Sequence, residues 1–256
     1  MHQLSLPTLL ATLALLCGGC AWAIVALVNA ALRWFGRDVS APLPLRESVV
    51  GAAATLFGLM IAFSAAGIWA DSARARAAVE RETDALENVV ALAGTLPAPS
   101  RDAVRGAVAA YAREVVARDW PRMREGAGVD DPAYIVAEKA LIDALTLAAE
   151  AGPPEAAGVS RIVTQLLDAR AARSQRLLVA ASGMSRAQWT SVIVIACLTV
   201  LAIGLVNAHS RRSQLVATQV AAALVAAVAF AIVAHDRPFA GSISIGPAPF
   251  ERIAAP

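Results

Sequence analysis

The chain has 256 residues, 58% of them hydrophobic and only 16% charged, with a mean hydropathy of +0.60. That composition excludes an ordinary soluble domain. A formal net charge of +2 gives no case for a nucleic-acid partner, and aromatic residues do not interleave with basic ones as single-strand binding would require.

The charges are segregated. Of the 42 acidic and basic residues, 31 lie between Asp71 and Arg186, so apolar ends flank a polar middle. All three cysteines, Cys17, Cys20 and Cys197, sit inside apolar runs, which argues against a disulfide framework. Cys17 and Cys20 form a C-x-x-C with no His, Asp or Glu nearby, so they read as small residues at a helix contact and no metal site is expected.

Residues 1–48 hold the first apolar run, TLLATLALLCGGCAWAIVALVNAAL at 8–32, and a short loop. LLCGGC superficially resembles a lipoprotein cleavage site. The preceding MHQLSLP has no Lys or Arg, however, and the run continues far beyond a signal-peptide core, which predicts a transmembrane helix. In the loop, Trp34 and Phe35 suit a membrane interface, and Pro42 and Pro44 break any helix.

Residues 49–70 form the second span, VVGAAATLFGLMIAFSAAGIWA, which is uncharged and long enough to cross a hydrocarbon layer of ~30 Å at ~1.5 Å per residue. No Pro or Gly falls between Ile68 and Val90, which predicts one continuous helix to about Leu96, half in lipid and half in water. Gly51, Thr55, Gly58, Ala62 and Ala65 recur every three or four residues on one face. Such a face either packs closely against another helix or, with Ser64 nearby, lines a water path.

The polar middle, residues 71–188, reads as four helices sharing a core, a soluble helical-bundle module inserted between the second and third spans. The first carries Val79, Leu86, Val90 and Ala93 on one face. Ser100 is the expected N-cap of the next, which carries Val104, Val108, Tyr111 and Val115 and has Trp120-Pro121 near its end. After a turn at 126–132, a third helix is expected over 132–150. A fourth runs from Glu155 with Val159, Ile162, Leu166, Arg170, Arg173 and Leu177, interrupted at 182–185.

Within residues 189–234, the third and fourth spans cover 189–208 and 214–234, joined by a tight hairpin. The tail, 235–256, contains SISIGPAPFERI, which reads as a short extended segment. The fold class is therefore an all-α membrane protein with four transmembrane helices. Parity puts both termini and the module on one side, expected to be the cytoplasmic side of the bacterial inner membrane.

Catalytic signatures are lacking. His2, His209 and His235 all lie outside the polar module, where no His-based triad or zinc site can then form. No Walker loop or G-x-G-x-x-G occurs, and no catalytic residue or cofactor is expected. Glu80/Asp84 and Asp130/Asp131 read as solvated helix faces and turn residues. The spans contain no Asp, Glu, Lys or Arg, which disfavours proton-coupled carriers while leaving channels open.

In this order the features resemble the bestrophin-like domain family, bacterial membrane proteins distantly similar to bestrophin anion channels. The resemblance runs from about Leu45 to Phe250. Its local carriers are GLMIAFSAAGIWADSARAR (58–76), Trp120-Pro121, RAARSQRLL (170–178), Trp189 and DRPFAG (236–241). It implies a homo-oligomer, a pentamer as in bestrophins, embedded in the lipid bilayer and passing small inorganic ions through a pore lined by the second span.

Met60-Ile61-Ala62-Phe63 is similar to the Leu-Leu-Ala-Phe stretch of that pore, and Pro238-Phe239-Ala240-Gly241 to the Pro-Phe-Gly that follows the fourth span. By this resemblance Thr55, Gly58, Phe63 and Ser64 are pore-lining candidates, and Asp236, Pro238, Phe239 and Gly241 form a packing clamp in the tail. Two departures matter. The Arg-x-Asn that follows the phenylalanine in bestrophins is replaced by Ser64-Ala65-Ala66, and the acidic cluster that binds calcium in animal members is missing, so calcium gating is not expected. The rival expectation is a non-conducting membrane protein whose helical module senses or scaffolds.

Overall fold

The computed structural model describes residues 5–35, 47–126, 153–240 and 243–255, together with Ile142 and Thr146. The expected helix over 132–150 lies almost wholly outside the described residues, as does Gly241. Every regular element among the described residues is helical. They are α1 (Leu6–Trp34), α2 (Glu47–Ala93), α3 (Ala98–Glu114), a π turn (Val115–Asp119), α4 (Trp120–Glu125), α5 (Pro153–Ala181), α6 (Arg186–Val206), α7 (Arg211–His235) and α8 (Ala248–Ala254).

The chain divides into two compact units, one of Met1–Trp69 with Met184–Asp236, the other of Ala70–Gly183 with Arg237–Pro256. Among the described residues four helices are long and apolar enough to cross a membrane. As the missing Pro and Gly predict, α2 is continuous over 47 residues.

In the first unit α1 packs along α7, and α6 packs against both. Small residues set the spacing. Ala21, Val200 and Ala222 make one buried contact, and Leu9, Leu13 and Val233 another. A Cβ at Gly18 would meet Gln219 Oε1 at 3.3 Å, and Gln219 Nε2 donates to the Gly18 carbonyl at 3.3 Å. In lipid, where burial of apolar surface drives no association, close approach and interhelical hydrogen bonds take its place.

Gln214, fully buried, shows the same logic. Its Nε2 donates to the Gly204 carbonyl at 2.8 Å, and its Oε1 accepts from Asn29 Nδ2 at 3.2 Å. The break before α6 is a capping box. Ser185 Oγ accepts from the Gln188 amide at 3.2 Å, and the Ser185 amide donates to Gln188 Oε1 at 2.9 Å.

The second unit has one large core. Along α2 its inward residues are Ala75, Val79, Glu82, Leu86, Val89 and Ala93, alternating four and three apart, which keeps them on one face of the helix. Val104, Val108, Tyr111 and Val115 of α3 meet that face, as their spacing predicts, and Val159, Ile162 and Ala169 of α5 join the same core.

Two expectations fail locally. Ser100 is not the N-cap. The helix starts at Ala98 with Pro97 as cap residue, because Pro99 fits the first helical turn, where no backbone N–H is needed. Part of the expected extended tail segment is helical instead. Pro247 starts α8, and Phe250 is fully buried in the core, so burial of one ring fixes the segment as a helix.

Candidate functional site

The apolar half of α2 differs from the other three spans. Its most apolar window is 6% buried, against 22–28% in the others. The half-buried side runs through Ala53, Phe57, Ile61, Ser64 and Ile68, and Thr199 Oγ1 reaches the Ala53 carbonyl at 3.4 Å. The small-residue face of Gly51, Thr55, Gly58 and Ala62 is exposed. Among the described residues a Cβ built on Gly51 or Gly58 meets nothing within 4 Å, so none of them packs closely on these two glycines.

The four pore candidates do not share a face. Thr55 and Gly58 lie together, and the Thr55 hydroxyl is satisfied by the Gly51 carbonyl at 2.8 Å. Phe63 lies five positions from Gly58, about 140° around the helix. Its ring is 69% exposed, and Leu56 and Leu59 are exposed on the same flank. Ser64 lies about 120° from Gly58 in the other sense. It is half-buried on the inward side, with its hydroxyl donating to the Met60 carbonyl at 2.8 Å.

The tail residues take distinct contacts. Asp236 Oδ1 accepts from the Met184 amide at 2.8 Å. The Pro238 carbonyl accepts from the Ile245 amide at 2.9 Å. Phe239 is 1% exposed, and its ring meets Trp120 edge-on with centroids 5.6 Å apart. Arg237 Nη1 donates to the Glu125 carbonyl at 3.3 Å, beside Gly126, whose φ of 73° ends α4 in the left-handed region. A Cβ at Gly126 would stand 2.5 Å from that guanidinium.

Beneath these rings lies a charge cluster that none of the site candidates includes. Arg176 is fully buried and grips Glu82 with two bonds, Nε to Oε2 at 2.7 Å and Nη2 to Oε1 at 3.0 Å. Its Nη2 also donates to Asp119 Oδ2 at 3.1 Å, and its Nη1 to Met123 Sδ at 3.2 Å. Arg173 forks onto Asp119 through Nε at 3.1 Å and Nη2 at 3.2 Å, and Tyr111 donates to Glu82 Oε1 at 2.7 Å. The guanidinium carbon of Arg176 lies 5.5 Å from the centre of the Trp120 ring and 5.3 Å from that of Phe250.

Among the described residues two cations face two anions, and both carboxylates are held by forked donors, the condition under which charge can stay buried. Burial opposes the Arg176 charge. The adjacent Glu82 carboxylate, by charge and by hydrogen bond, outweighs that and raises the guanidinium pKa above its usual value. The π turn helps to build the cluster. By widening one turn it lets Val115, Asp119, Trp120 and Met123 all be buried.

Among the described residues no group of His, Cys, Asp or Glu is arranged to hold a metal ion. Three of the short segments that carry the family resemblance converge here, since Trp120, Arg173, Arg176 and Phe239 all belong to this core or its charges.

Comparison with known proteins agrees. The fold is similar to the crystal structure of a bacterial bestrophin homologue from Klebsiella pneumoniae carrying a mutation, with a TM-score of 0.68, 12% identity, and 96% of this chain and 97% of that one covered. It is also similar to the crystal structure of a membrane protein at a TM-score of 0.71, 10% identity and 96% coverage of both chains. No curated protein matches in sequence. The bestrophin-like domain matches residues 10–250, and the chain belongs to the bestrophin-like family.

Proposed function

We propose that the chain is one subunit of a homo-oligomeric membrane channel that passes small anions passively, with its helical module in the cytoplasm. The observation that carries this reading is the uncovered apolar half of α2. Its small face lets a neighbouring helix approach closely. Thr55 and Gly58 then sit at subunit contacts or beside the pore, and the exposed flank with Phe63 forms an apolar belt that gates by excluding water. Ser64 stays on the subunit's own packing side. Asp236, Pro238 and Phe239 fix the tail, Phe239 by burying its ring on Trp120; Gly241, the fourth clamp candidate, lies outside the described residues.

Mass measurement in mild detergent and ion flux from loaded liposomes test the proposal together. A discrete oligomer that releases chloride above empty liposomes supports it. A monomer, or a folded oligomer that releases nothing, leaves the scaffold reading in its place.

A further inference from the structure

One end of the first unit holds a cavity unrelated to the α2 face. It has a volume of about 480 Å3 and is lined by Trp22, Asn29 and Arg33 of α1, His209 and Arg211 of the α6–α7 hairpin, and Gln214 of α7 among others. No Asp or Glu lines it among the described residues. Arg33 closes the apolar run of α1 and Arg211 opens α7, so both stand where a span meets the headgroup layer. Guanidinium groups at that depth attract the phosphates of anionic lipid headgroups.

The buried amides hold one wall of the cavity together. The Gly204 carbonyl can only accept, so the Gln214 amide must turn Nε2 toward it, and Gln214 Oε1 must face Asn29 Nδ2. That leaves Asn29 Oδ1 buried without a donor among the described residues. That oxygen has no accessible surface, so it belongs to the helix contact and not to the cavity's ligand.

We infer that this cavity binds the headgroup of an anionic phospholipid. The phosphate lies between Arg33 and Arg211, with His209 and the Trp22 ring at the rim. The acyl chains remain in the bilayer, which suits a cavity open at a helix end.

The test is native mass spectrometry of the full chain in detergent with phosphatidylglycerol, phosphatidic acid or phosphatidylcholine added singly. Phosphatidylglycerol and phosphatidic acid should both be retained better than phosphatidylcholine. Arg33→Gln and Arg211→Gln should each weaken retention about fivefold, whereas Arg212→Gln, outside the cavity, should not. Melting curves of each variant confirm folding. Equal retention of phosphatidylcholine and phosphatidylglycerol by the parent overturns the inference. So does an unchanged preference in both arginine variants, or full competition by soluble glycerol 3-phosphate, which would make the ligand a free metabolite.

Discussion

Arg176 and Glu82, 94 positions apart in the chain, meet as a two-bond ion pair with both side chains wholly excluded from solvent. The pair joins α5 to α2, and Asp119 extends it to the π turn. Such a pair is weak evidence for stability in itself, because desolvation offsets most of the attraction. Breaking it is another matter. Arg176→Met removes the cation and leaves Glu82, among the described residues, with only the Tyr111 hydroxyl. We predict a loss of about 3–5 kcal/mol, seen as a large fall in the melting temperature of the detergent-solubilised chain. Arg176→Lys should rescue little, since an ammonium cannot fork onto Glu82 and still reach Asp119. A melting temperature unmoved by Arg176→Met would show that the cluster is not a lock.

Phe239 supplies the second prediction. Its ring is buried against Trp120, and Trp120 in turn meets Phe250 at 5.7 Å. Phe239→Ala leaves a cavity at the centre of that stack and should cost about 3–5 kcal/mol. Phe239→Leu should cost less, as it keeps most of the volume. Denaturation of both variants, followed by tryptophan fluorescence, reads this directly because Trp120 is the contacting ring.

Hydropathy and helix periodicity made the skeleton legible. Four spans, the unbroken α2 and the α3 stripe all follow from burial on one helix face. The charge cluster was hidden by the same logic, because an apolar stripe is traced by its apolar members. On α5 the true inward series is Val159, Ile162, Leu166, Ala169, Arg173, Arg176 and Ala180, three and four apart throughout. Reading Arg170 into the stripe slips it by one residue, since Arg170 is exposed, whereas Leu177 does pack half-buried against the core. The available signal was an acid or arginine standing in strict register, as Glu82 does between Val79 and Leu86. The π turn that buries both Asp119 and Trp120 leaves no such mark in the sequence.

A third prediction concerns the spans. The Gly204 carbonyl lies in the last turn of α6, where no backbone donor remains within the helix, and Gln214 Nε2 satisfies it. Gln214→Leu keeps the bulk but orphans that carbonyl and Asn29 Nδ2. A loss of about 1–2 kcal/mol is expected. Gln214→Glu, which retains an acceptor for Asn29 but cannot donate to Gly204 when ionised, should be worse. Thermal unfolding in mild detergent ranks the three proteins, and parity between parent and Gln214→Leu would mean that water or lipid substitutes for the amide.

The last prediction separates the two exposed faces of α2. Gly58 has open space beside it within one chain, so Gly58→Leu is harmless to the subunit's own packing. If that face meets a neighbouring subunit, the bulky side chain holds the helices apart, and the oligomer should dissociate in detergent while the melting temperature of the subunit changes little. Phe63, about 140° away, makes a different demand. If its flank forms the apolar belt, Phe63→Ala should widen and wet it without changing the mass, and chloride release from liposomes should exceed that of the parent. An intact oligomer in Gly58→Leu moves the small face out of the subunit contact and into the pore. Silent liposomes for both parent and Phe63→Ala, with both still folded and oligomeric, would remove conduction from the account and leave a membrane-anchored helical scaffold.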